Sequence, residues 1–176
     1  MKVNSDNKFN SLYSYEDIES FKDACNVLNL NYKDIENIVC ELNKTSHTLA
    51  AIFKLKIIRN ALNGENSIKL TEGTVYIPCV HFIPKILIPK RLQDKFKVIG
   101  EFNNNNTQYL VLGNNYYECE NGGISFYNEA HDIGTANIHS AVLYCKSKEI
   151  AKHFSKCFGM LIVEAAFGDL LHNNSY

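Results

Sequence analysis

A cysteine at the end of a strand and just before a helix is a candidate nucleophile, because a helix N-terminus favours the thiolate. Cys145 has that place in the stretch VLYCKSKEIAKHFSKCF, Val142 to Phe158, where an apolar run gives way at Ser147 to a helical period. The chemistry would be attack on an electrophile, and it needs a general base within hydrogen-bond reach. His139 precedes Cys145 by six residues, which an extended chain spreads over about 20 Å. His153 lies on the following helix, and His81 or His131 could approach only through the fold. With no base placed by spacing, the expectation is a core-facing Cys145 and no catalytic residue.

His131, Asp132 and His139, joined by Cys79 or His81, are the next candidates, as metal ligands. They show neither a CxxC nor an HxxxH pattern, so no metal site and no cofactor are expected from them. Gly113 and the pair Gly122-Gly123 lack the Lys-Ser/Thr that follows a phosphate loop. They read as hairpin turns.

Two groups of residues suit binding instead. Lys85, Lys90, Arg91, Lys95 and Lys97 are opposed only by Asp94, with Ile86, Ile88, Leu92 and Phe96 interleaved. Such a basic amphipathic segment can project as an arm toward an acidic partner, a phosphate-bearing ligand or a second copy, or dock its apolar side on its own core. Tyr109, Tyr116, Tyr117, Tyr127 and Tyr144 fall on predicted strands. They pack as cross-strand pairs unless one sheet face stays open, in which case that face becomes an interface. The residues assigned to binding are Lys85, Lys90, Arg91, Lys95, Lys97, Tyr116, Tyr117 and Tyr127.

The elements that must position these groups are legible from period and punctuation. Residues 1–13 are polar and read as an arm, and 14–176 as one domain with the basic segment around 84–97 as extra material. Ser14-x-x-Asp17 and Ser20-x-x-Asp23 are capping signals, and Asn31 opens a further helix. A third helix should run from Thr45 or Ser46 to Leu62, apolar over more than one face and therefore central, and Asn63-Gly64 should end it. Thr74–Phe82 is strand-like, with Pro78 marking an edge or a bulge. Short β-prone runs follow at Lys97–Phe102, Gln108–Leu112, Tyr116–Cys119 and Gly123–Tyr127, joined by NNNN, GNN and NGG, the spacing of an antiparallel meander. A strand over Ser140–Cys145 leads into a long helix from Ser147 to about Phe167, with the stripe Ile150, Phe154, Cys157, Phe158, Leu161 and Ala165. The fold class is α+β: helices packed on one face of a mostly antiparallel sheet, with a long C-terminal helix.

The whole-chain numbers agree with a soluble domain. The 176 residues are 45% hydrophobic and 21% charged, with a net charge of −1. That balance lacks the basic excess of a dedicated nucleic-acid binder. No apolar run approaches the ~18 residues of a membrane span, and no export signal is expected from the opening MKVNSDN. Six cysteines without a CxxC pair then read as reduced thiols in a cytoplasmic setting.

Several segments, in order, resemble an uncharacterised family of small proteins encoded by tailed bacteriophages and prophages of Bacteroidetes hosts, the crAss-like phages among them. The residues that carry the resemblance are Ser20–Cys25 with Leu28, Lys54–Asn63, Tyr76-Ile77-Pro78 with Phe82, Gly122–Tyr127, and Leu143–Ala151. They are 36 of the 176 residues, spread in order from Ser20 to Ala151. The family's tryptophans have no counterpart here, and the Asn31–Lys44 helix and the Lys85–Asn121 segment are additions. The resemblance implies a phage source and no catalytic residue. The expected function is that of a non-enzymatic phage accessory protein that acts by binding. Its partner is another protein or a second copy, in the host cytoplasm or in the virion. Two alternatives stand beside it: sequestration of an anionic small molecule such as a nucleotide signal of host defence, and a cysteine- or metal-dependent hydrolase.

Overall fold

A computed structural model describes residues 13–64, 74–89, 97–104, 106–119, 135–136 and 143–173. The chain opens on a single 3-10 turn, Tyr15–Asp17, followed by α1 (Phe21–Val27), α2 (Tyr32–Thr45) and α3 (His47–Asn63). Strands β1 (Val75–Pro84), β2 (Val98–Asn104), β3 (Thr107–Cys119) and β4 (Thr135–Ala136) come next, and α4 (Lys148–Asn173) closes the chain.

Local chemistry sets the helix starts. Ser20 accepts from the Asp23 amide while the Asp23 carboxylate accepts from the Ser20 amide, a complete capping box. Asn31 caps α2 by accepting from the Lys33 amide. Ser46 ends α2 with its amide on the Leu42 carbonyl and caps α3 with its hydroxyl on the Leu49 amide. The Asp169 carboxylate of α4 takes the same Ser46 hydroxyl at 2.6 Å, so one serine joins three helices. Gly64 stops α3 at φ +73, where a side chain would clash with its own backbone.

The strands form one antiparallel sheet in the order β2-β3-β1-β4. Consecutive β2 and β3 make a hairpin, and β3 then lies beside β1. The expected strands Gln108–Leu112 and Tyr116–Cys119 prove to be one strand. The intervening Gly113-Asn114-Asn115 does not turn the chain back. It forms a bulge opposite Cys79–His81, where Asn114 takes φ +65 and the sheet continues. The Asn115 amide donates to the Ser155 hydroxyl and the Gly113 amide to the Lys97 carbonyl, so the residues that signalled a turn are held inside the sheet. Pro78 sits next to this bulge on β1, opposite Tyr116 of β3, and β4 pairs β1 only at Val80 and His81.

α4 lies across β1, β2 and β3, α3 packs on α4, and α1 and α2 pack on α3. Because α4 is held between sheet and helices, it is buried beyond the expected stripe. Ala151, Ile162 and Val163 are buried with Ile150, Phe154, Phe158 and Ala165, whereas Cys157 and Leu161 lie at the half-buried margin. The helix approaches the sheet at glycines. A Cβ on Gly113 would lie 2.7 Å from the Ser155 carbonyl oxygen. A Cβ on Gly159 would run into Ile99 Cδ1. α3 is central as expected, burying Ala50, Ala51, Leu55, Ile57, Ile58, Ala61 and Leu62. Among the described residues no helix is long and apolar enough to cross a membrane.

Candidate interaction surface

Cys145 is fully buried, and its thiol donates weakly to the Leu143 carbonyl at 3.5 Å. Its backbone makes an isolated antiparallel bridge with Tyr76, with N–O distances of 2.8 and 3.0 Å. Burial pushes the thiol well above its ordinary range, and the Arg59 guanidinium offsets this only in part. A thiol in that state is a small apolar side chain. Of the expected strand Ser140–Cys145, residues 140–142 lie outside the described residues, as do His131, Asp132 and His139. His153 points its ring at the Ile18 carbonyl instead.

The corner around Cys145 is sealed by an asparagine. Asn63, itself buried, donates to the Arg59 and Tyr144 carbonyls at 2.9 and 3.0 Å and accepts from the Lys146 amide at 2.9 Å. The Lys146 ammonium returns to the Asn63 carbonyl at 2.9 Å. The end of α3 is thereby fastened to the segment that carries Cys145.

The binding residues separate. Lys90, Arg91, Lys95 and Tyr127 lie outside the described residues. Lys85 stands at the start of a 3-10 turn, Lys85–Leu87, and its ammonium meets both Glu101 oxygens at 2.9 and 2.8 Å, with Gln108 donating to the same carboxylate. The basic character expected at Lys85 is therefore neutralised locally. Lys97 is exposed just before β2. Tyr116 packs edge-on against Tyr76 with the Lys152 ammonium 5.3 Å from its ring centroid, whereas neighbouring Tyr117 is 37% exposed. Pro84, next to Lys85, is opposite Tyr109, and Pro78 is opposite Tyr116. Seven strand residues, roughly 23 Å, hold the lysine turn and the tyrosine pair apart. They are two places on the sheet and not one site.

What projects at the lysine turn is apolar. Ile86 is 90% exposed and Leu87 70%, while the next residue, Ile88, is 7% exposed and anchors the turn. The sequence places Ile86 and Ile88 together on the apolar side of a basic segment; the turn splits them, Ile86 outward beside Leu87 and Ile88 inward. A second feature it missed is the pair His153 and Cys157, one helical turn apart on α4. Their i, i+4 spacing on a helical segment is the sequence signal for the pair.

No protein-family model, curated protein or solved structure matches this chain.

Proposed function

We propose that this chain is a non-enzymatic bacteriophage accessory protein that acts by binding another protein through the Lys85–Leu87 turn. The observation that carries the reading is the outward pair Ile86 and Leu87 on a turn pinned by buried Ile88. Two adjacent large aliphatics in water cost the free chain about 1.5–3 kcal/mol each that a partner's surface would recover. The pinned backbone keeps the ordering cost of binding low. The burial of Cys145 supports a role other than thiol catalysis at that corner. The phage source rests on the sequence resemblance, and with it the site of action, the host cytoplasm or the particle.

Light scattering on the eluting protein and capture from infected lysate test this, each with wild type and with Ile86→Ser/Leu87→Ser. The wild-type chain is expected to self-associate or to retain a phage or host protein that the double variant loses. A strictly monomeric wild type that retains nothing refutes the reading. Mass spectrometry of purified virions then separates packaging from a role inside the host.

A further inference from the structure

The geometry points to a binding site for a thiophilic divalent cation of the zinc class between Cys157 Sγ and His153 Nδ1 on α4. Both side chains are half-buried, so the site is within reach of solvent. His153 Nε2 lies 2.9 Å from the Ile18 carbonyl oxygen. A carbonyl only accepts, so Nε2 carries the ring proton and the Nδ1 lone pair is free for another partner. Tyr15 meets the same ring edge-on at 5.6 Å and fixes its plane. The free nitrogen faces Cys157 Sγ at 3.9 Å.

That separation is long for a hydrogen bond and close to what a metal needs. A tetrahedral zinc ion about 2.3 Å from sulfur and about 2.05 Å from nitrogen sets its two donors roughly 3.6 Å apart. A shift of a few tenths of an ångström, within side-chain rotation, brings the pair to that distance. The backbone carbonyl on the far ring nitrogen is the usual orienting partner of a metal-bound histidine, and it fixes the required tautomer before any ion arrives. The i, i+4 spacing puts the two donors on one face of the helix, one turn apart.

Among the described residues no group of three His, Cys, Asp or Glu side chains converges as a ligand set, so this is a two-donor site with its remaining positions open to water. The charges that act on the thiol are the Lys156 ammonium and, beside Ile18, the Glu19 carboxylate. Burial raises the Cys157 thiol from its ordinary range, so the ion must displace a proton that is held firmly. The balance is Cys–SH plus M²⁺ giving Cys–S–M⁺ plus H⁺, with His153 adding as a neutral donor. Affinity therefore rises with pH. An ion there would also tie α4 more firmly to the Tyr15–Ile18 turn, since His153 already holds that turn through its other nitrogen.

The test is titration of the full-length chain with Co²⁺ or Cd²⁺, read by the thiolate-to-metal charge-transfer absorption, in a Cys40→Ser background that removes an exposed thiol. One saturable equivalent is expected, with release of about one proton. The signal should vanish in Cys157→Ser and weaken about tenfold or more in His153→Gln. Zn²⁺ should slow alkylation of Cys157 in the same background, read by peptide mass spectrometry. Circular dichroism confirms that each variant is folded; if Cys157→Ser is not, the alkylation arm on the unsubstituted thiol decides. No charge-transfer band, a band that survives Cys157→Ser, equal affinity in His153→Gln, or alkylation of Cys157 indifferent to Zn²⁺ overturns the inference.

Discussion

Replacing Asn63 by alanine is expected to open the corner that hides Cys145. The side chain is 2% exposed and makes three hydrogen bonds, to the carbonyls of Arg59 and Tyr144 and from the amide of Lys146. Two of those three cross from α3 to the segment carrying Cys145. Alanine takes the acceptor from the Lys146 amide and a donor from the Tyr144 carbonyl. A polar group stranded in this part-buried corner costs about 1–3 kcal/mol, so two cost about 2–6 kcal/mol. That is a large share of the ~5–15 kcal/mol that holds a domain together. Urea unfolding should show a lower midpoint with the slope unchanged. The sharper assay is labelling of Cys145 by a thiol reagent, followed by peptide mass spectrometry. When reclosing outpaces labelling, the rate follows the open population, and about 2–6 kcal/mol raises it roughly 30- to 20,000-fold. A loss below about 0.5 kcal/mol with Cys145 still protected would refute the assignment of Asn63 as the fastening of this corner.

Gly113→Ala should cost about 1–3 kcal/mol, because its methyl group meets the Ser155 backbone oxygen and Ile99 and the backbone cannot swing aside; calorimetry should show a fall in Tm of several degrees. The Asp169 carboxyl is held below its usual range, first by the Ser46 hydroxyl and then by the amides and hydroxyl of His47 and Thr48. A depressed carboxylate stabilises the fold above its unfolded-state range and loses that contribution as pH falls through the lowered value. The stability gap between wild type and Asp169→Asn should therefore be open near neutrality and close below about pH 4. Ile86→Ser/Leu87→Ser should leave stability within about 0.5 kcal/mol of wild type, since these side chains touch mostly water; a larger loss by chemical denaturation would mean the turn packs on the protein itself. Among the described cysteines of the native wild type Cys40 should label first, with Cys25, Cys79 and Cys145 protected, the Cys79 thiol being pushed up to about 12 by burial.

The sequence by itself determined the helix starts and the stop of α3, because these rest on contacts three or four residues away, whereas α4 runs on to Asn173, past its expected end near Phe167. The capping boxes at Ser14 and Ser20, the Asn31 and Ser46 caps and the Gly64 stop all form where they were expected. It also determined the α+β class and the central place of α3, whose apolar residues run over more than one face. Tertiary structure decided what happens to groups whose partners are far away in the chain. Gly113-Asn114-Asn115 has the composition of a turn, and only the Ser155 hydroxyl, 40 residues on, shows why it continues as a bulged strand. Lys85 reads as part of a positive run until Glu101 folds against it. Ile86, Leu87 and Ile88 are alike in type, and their opposite fates follow from where the turn leaves β1, which no period encodes. The His153–Cys157 pair stands between the two cases. Its spacing is written in the sequence, but the ring nitrogen that faces the sulfur is chosen by the Ile18 carbonyl 135 residues away.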